Sequence, residues 1–168
     1  MRIVAFSDSH GNLDRLREGV LQALTIAPID ILVHCGDGAR DVAAVEALVR
    51  DRNADARFYV VRGNCDMSAF DFPAQEVFEA YGIRCLATHG HLYHVKTELE
   101  TLLSTARARS AQIVFFGHTH HSFLQMPQGV YLINPGAVAN QLRGNVAYAQ
   151  VNLSPAGVIR ADLMPWLT

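Results

Sequence analysis

The sequence predicts an α/β fold made of two mixed β-sheets stacked face to face, with helices on their outer faces. Three observations carry that prediction. The first half of the 168-residue chain alternates strand and helix patterns, whereas the second half is strand-rich with one helix. Polar residues able to do chemistry recur just past the ends of apolar strands. Alternating units ask for parallel strands with crossover helices. A strand-rich half must still bury a face, and packing one sheet against the other satisfies both demands. Half of the residues are hydrophobic and 18% are charged, the composition of a globular chain, read here as a single domain spanning residues 1–168.

The elements follow in order. Arg2 to Phe6 reads as a strand, ending in Ser7-Asp8-Ser9-His10. Asn12 then caps a helix through Leu13, Leu16, Val20, Leu21 and Leu24. Ile29 to Val33 is the next strand, turning at His34-Cys35-Gly36-Asp37-Gly38 into a helix over Ala39 to Arg50 with Val42, Val45, Leu48 and Val49 inside. Phe58 to Val61 leads into Arg62-Gly63-Asn64-Cys65-Asp66. Glu76 to Ala80 and Ile83 to Thr88 form a hairpin about Tyr81-Gly82, and the second of them ends in His89-Gly90-His91. A helix from about Thr97 to Arg109 buries Leu99, Leu102, Leu103 and Ala106. Gln112 to Phe116 is a core strand stopped by Gly117, with His118 and His120 beyond it. Four short strands close the chain, at 123–126, 130–133, 146–153 and 158–163, before a packed tail at Met164-Pro165-Trp166.

Charge and length exclude several classes of function. A net charge of −2 does not suit an extended nucleic-acid surface, which needs clustered Lys and Arg. The apolar run after Arg2 is too short for a signal peptide, and none approaches the roughly 20 residues that span a bilayer. Cys35, Cys65 and Cys85 are odd in number and lack a CxxC pair, which suits reduced thiols in a cytoplasmic protein and excludes a cysteine-based structural zinc site.

Asp8, His10, Asp37, Asn64, His89, His118 and His120 come from five strand-to-loop junctions. Any one junction alone reads equally well as a plain polar turn. Ligands of open α/β sheets bind at the carboxyl ends of strands, so five such junctions together predict one metal site. The i, i+2 spacing of Asp8 and His10, and of His118 and His120, would aim each pair to one side of extended backbone. An oxygen and imidazole donor mix suits Mn, Fe, Zn or Ni better than Ca or Mg. Seven donors are too many for one tetrahedral ion, and Asp37 is the natural bridge between two. His34 reads as a satisfied histidine behind the ligands rather than a ligand. No Ser-His-Asp set is evident.

The ordered motifs Asp8-x-His10, Gly36-Asp37, Gly63-Asn64-x-Asp66, His89-Gly90-His91 and Gly117-His118-x-His120 resemble those of the calcineurin-like metallophosphoesterases. The short length, Gly63-Asn64-Cys65-Asp66 and Ile133-Asn134-Pro135-Gly136 are most similar to the small YfcE-type phosphodiesterase branch, and the match runs from Asp8 to Gly136. The resemblance implies a four-layer α/β/β/α fold and hydrolysis of a small phosphodiester by a hydroxide bridging two divalent ions, manganese first, with iron, zinc or nickel as alternatives. It also implies the division of ligands. One ion would take Asp8, His10, Asp37 and His120, and the other Asp37, Asn64, His89 and His118. Asn64 would additionally hold a phosphoryl oxygen as a catalytic residue. Where larger relatives carry a leaving-group histidine this chain has Cys65, so protonation would fall to water, to His91 or to no group at all, and good leaving groups would be favoured. Asp66 would orient its loop. The family also contains a retromer subunit, so the alternative implied is a non-catalytic scaffold.

Overall fold

The structure is a computed structural model that describes residues 1–139 and 146–167. Its elements are β1 (Arg2–Phe6), α1 (Leu13–Ile26), β2 (Ile31–His34), α2 (Ala43–Arg52), β3 (Arg57–Val60), β4 (Gln75–Ala80) and β5 (Ile83–Thr88). Then follow α3 (Glu100–Ala108), β6 (Ile113–Phe115), β7 (Ser122–Gln125), β8 (Tyr131–Pro135), β9 (Val146–Leu153) and β10 (Ile159–Pro165). They form two five-stranded mixed sheets, ordered β10-β9-β1-β2-β3 and β4-β5-β6-β8-β7.

The strands look continuously apolar because both faces are covered, yet they alternate strictly. In β1, Ile3 and Ala5 face the seam between the sheets, while Val4 and Phe6 face the helices. The seam also takes Ile31 and Val33 from β2, Cys85 and Ala87 from β5, and Ile113 and Phe115 from β6. On one outer face Leu16, Val20 and Ala23 of α1, with Val45 and Val49 of α2, cover the first sheet. On the other, Leu102, Leu103 and Ala106 of α3 cover Leu86, Val114 and Leu132. Three apolar cores thus separate four layers, α/β/β/α.

Several sequence expectations are corrected. Leu13 and Leu21 of α1 are exposed, and Gly19 and Ala23 complete its inner face instead. Gly19 sits there because an added Cβ would come within 2.9 Å of the Phe6 ring. The helix expected from Ala39 begins as a 3₁₀ turn, Ala39–Val42, before α2. The helix expected from Thr97 begins at Glu100, because residues 94–97 close a turn of their own, with the Thr97 N–H on the His94 carbonyl. Asn134 and Pro135 are the end of β8 rather than a turn, and the buried Asn134 amide donates to the Gly117 carbonyl at 2.9 Å.

Candidate metal centre

Three adjacent parallel strands of one sheet, β1, β2 and β3, end in the turns that carry Asp8 and His10, Asp37, and Asn64. Two adjacent parallel strands of the other, β5 and β6, end at His89 and at His118 and His120. All seven predicted residues therefore lie at one end of the seam.

The backbone that aims them is not the extended one expected. Asp8 (φ 54°), His10 (φ 46°), Asp37 (φ 53°), His118 (φ 67°) and His120 (φ 59°) are all left-handed. That conformation is costly for residues with a Cβ, and cross-turn bonds hold it. The Asp8 N–H meets the Gly36 carbonyl at 3.0 Å and the His10 N–H meets the Asp37 carbonyl at 2.9 Å. Close approach also requires glycine. A Cβ on Gly63 would lie 2.1 Å from Asp37 Oδ1, and one on Gly117 would lie 1.9 Å from Ser7 Oγ.

The donors fall into two groups sharing Asp37. In the first, His120 Nε2 is 3.2 Å from Asp8 Oδ1, and His10 Nε2 is 3.4 Å from His120 Nε2. His10 Nε2 is also 3.8 Å from Asp37 Oδ2. In the second, His89 Nε2 is 3.4 Å from Asp37 Oδ2 and 3.1 Å from Asn64 Oδ1, with the His118 ring centroid 5.0 Å from that of His89. His89 Nδ1 sits 2.7 Å from the Cys35 carbonyl, so an Nδ1–H donated there leaves the Nε2 lone pair facing Asp37. Asp8 Oδ2 accepts from Ser7 Oγ at 2.5 Å and from the His118 N–H at 3.1 Å. Its other oxygen, Oδ1, is buried and has no hydrogen-bond donor among the described residues.

The electrostatics of these groups suit cation donors. Burial raises the Asp8 carboxyl above its usual range despite His89 and Ser7. Burial pushes Asp37 the same way, but the bonds from His89 and the Cys65 N–H outweigh it and hold that carboxyl below its usual range. Burial would lower His89, yet Asp37 and Asp8 raise it. Burial, then His89 and Lys96, bring His118 down to about 4. An orphaned buried carboxylate oxygen facing imidazole nitrogens is what divalent-cation ligands look like without the cation, so the residues present fit such ions.

The supporting residues hold the turns. Asp66 accepts the backbone N–H groups of Asp37, Gly38, Ala39 and Gly63. His91 stands beside the donors, its ring 5.3 Å from that of His89, with a buried Nδ1 that has no partner among the described residues. Burial, then His89, hold it below its usual range. His34 is wholly buried behind the site.

A Ser9–His34–Asp41 brace escaped the sequence reading. Ser9 Oγ donates to Asp41 Oδ2 at 2.6 Å and lies 3.1 Å from His34 Nε2. The serine bonds the acid directly and is buried, so the set ties the first two turns together rather than offering a nucleophile. Seven positions separate Asp41 from His34, and nothing local in the sequence signals their meeting. Beside the donors a cleft of about 320 Å³ opens, bordered by His10, Asp37, Arg40, Cys65 and Ser68.

Residues 1–154 match the calcineurin-like phosphoesterase superfamily domain, and the chain belongs to that superfamily. It is 30% identical over 154 residues to the probable metallophosphoesterase YsnB of Bacillus subtilis, covering 91% of this chain and 85% of that protein. Phosphodiesterase YfcE of Escherichia coli is 26% identical over 163 residues, 88% of this chain and 84% of that one. Among solved structures, Entamoeba histolytica Vps29 complexed with Zn2+ has the same fold, with a TM-score of 0.70 at 18% identity over 98% of this chain and 99% of that one. Divalent metals serve this superfamily, and among the described residues no helix is long and apolar enough to cross a membrane.

Proposed function

We propose that this protein is a cytoplasmic phosphodiesterase that uses two divalent cations, manganese first with iron, zinc or nickel as alternatives, to hydrolyse a small phosphodiester. One observation carries the reading. Asp37 Oδ2 lies 3.8 Å from His10 Nε2 and 3.4 Å from His89 Nε2, so a single carboxylate oxygen faces both donor groups. Asp8, His10, Asp37 and His120 would hold one ion, and Asp37, Asn64, His89 and His118 the other. Cations held there supply a low-pKa water and positive charge for a phosphoryl group.

The chain's own groups do the positioning. Asp8 and Asp37 bring the negative charge that retains cations, and Cys35 fixes the ring orientation of His89 through its carbonyl. Asn64 is exposed with Oδ1 toward His89, and its amide nitrogen, one N–H of which meets Cys65 Sγ, has a second N–H to hold a phosphoryl oxygen. Burial and His89 hold His91 below its usual range, which makes it a poor acid toward the leaving group and favours esters such as aryl phosphodiesters.

The alternative, a scaffold like the Vps29 chains that share the fold, predicts no turnover. The convergence of all seven donors favours the enzyme. The test is hydrolysis of bis-p-nitrophenyl phosphate by metal-stripped protein, resupplied with one divalent ion at a time, beside Asp37→Asn. Metal-dependent turnover lost in the variant supports the reading. Failure of the protein to bind any of the ions overturns it in favour of the scaffold.

A further inference from the structure

Of the three cysteines, Cys35 and Cys85 are buried in the seam, whereas Cys65 is exposed at the mouth of the donor cluster. Packing does not account for Cys65. Its backbone N–H donates to Asp37 Oδ1 at 2.7 Å, which pins the residue onto the carboxylate shared by the two donor groups. Cys65 Sγ, an imidazole nitrogen of His10 and a carboxylate oxygen of Asp37 all lie within 4.8 Å of one another. The Asn64 amide nitrogen is 3.2 Å from that sulfur. Asp8 Oδ1, buried and without a hydrogen-bond donor among the described residues, is 4.0 Å from the same His10 Nε2.

We propose that Cys65, His10 and Asp37 form a subsite for thiophilic divalent cations of the zinc class, which sets the metal selectivity of the centre. The inference rests on the proposed metal-dependent function and adds a sulfur donor to it. One sulfur, one imidazole nitrogen and one carboxylate oxygen make a donor set suited to zinc, cobalt and cadmium. Manganese and magnesium prefer oxygen-rich sets and gain little from a thiolate. A cysteine ligates as thiolate, so on binding the S–H bond breaks, the proton leaves to solvent and a sulfur–metal bond forms with no change of oxidation state. The sulfur then occupies a position that solvent or a phosphoryl oxygen otherwise takes. Oxygen-preferring cations gain no such bond. The same turn thus admits both kinds of ion but holds the soft ones by an additional bond.

The test is a cobalt(II) titration of the metal-stripped full chain, beside Cys65→Ser and Cys65→Ala. Two features are read: the near-ultraviolet sulfur-to-cobalt charge-transfer band, and the visible d–d bands that report cobalt on nitrogen and oxygen donors. The expected result is both features in the wild type, with the sulfur band lost and the d–d bands kept in each variant. Zinc affinity measured by competition should then fall by about 10–100-fold, at least the loss known for outer partners of metal ligands, with manganese affinity unchanged. Cobalt d–d bands without a sulfur band in the wild type overturn this proposal alone. So does a sulfur band that survives in the variants. Absence of cobalt binding altogether overturns the metal-dependent function and this subsite with it.

Discussion

Asp66 Oδ2 accepts the backbone N–H of Asp37 at 2.8 Å, so one acid holds another in place through its main chain. The same oxygen takes the Gly63 N–H at 2.8 Å, and Oδ1 takes those of Gly38 and Ala39 at 3.0 and 3.1 Å. Asparagine has one acceptor oxygen, so Asp66→Asn leaves two of these donors facing an NH2 group. Bonds to a charged acceptor contribute about 1.5–3 kcal/mol each. We expect about 2 kcal/mol or more of lost stability in denaturant unfolding of the metal-free chain. Cation affinity should fall about 10–100-fold, as for other supports of metal ligands. Unchanged affinity would show that the Asp37 turn holds itself.

The left-handed backbone of His10 makes a second prediction. His10→Ala and His10→Gly both remove an exposed imidazole, and they differ only in the backbone they tolerate. The glycine variant should be more stable than the alanine variant by about 1 kcal/mol, the cost of a Cβ in that region. Equal midpoints in urea would mean that the turn relaxes.

Gly117 is governed by space. An added Cβ would lie 1.9 Å from Ser7 Oγ and 2.7 Å from Asp8 Oδ2. Gly117→Ala is expected to cost about 1–3 kcal/mol and to displace the Asp8 carboxylate, lowering cation affinity in calorimetric titration. Gly82→Ala is the control. Nothing lies within 4 Å of that Cβ, so only its φ of 74° is strained, and cation affinity should not move.

The buried His34 links stability to pH. Burial lowers it to about 4, with His89 adding to the effect and Asp41, Asp66 and Asp37 opposing it. In the unfolded chain the imidazole titrates near 6.5. Between these values only the unfolded chain takes up the proton. His34's contribution is therefore complete above about pH 6.5, falls as pH drops to about 4, and levels off below. The difference is worth about 3 kcal/mol. His118, partly exposed and also near 4, adds less. Unfolding of the metal-free chain between pH 7 and 4 should show a shallower decline in His34→Gln. Parallel declines would move the cause to the carboxylates.

The strands and the junction residues were legible because both leave local marks. β9 runs over Val146–Leu153 as its apolar pattern predicts, and Asn12 caps α1 by accepting the Arg15 N–H at 3.2 Å. The strand-end argument brought the donors together, but the extended-backbone argument for how each i, i+2 pair is aimed does not hold. Asp8 and His10 converge through left-handed turns, which the residue types alone do not announce. Sheet order was hidden as well, because β9 pairs with β1 from the opposite end of the chain. The Ser9–His34–Asp41 brace and the approach of Cys65 to His10 are likewise products of turn packing. The exposed Leu13 and Leu21 carry an apolar pattern broader than the stripe that α1 buries.

The position of β9 between β1 and β10 has a consequence for synthesis on the ribosome. β1 is made well before its antiparallel neighbour β9, so one edge of β1 stays unpaired while the residues between them are translated. The Asp8 carboxylate likewise waits for the His118 N–H, 110 positions later. At about 5–20 residues per second, the nascent chain presents an open apolar edge for many seconds. Such edges template association with other chains. Aggregation during expression should therefore track chaperone supply at the ribosome more closely than the stability of the finished protein.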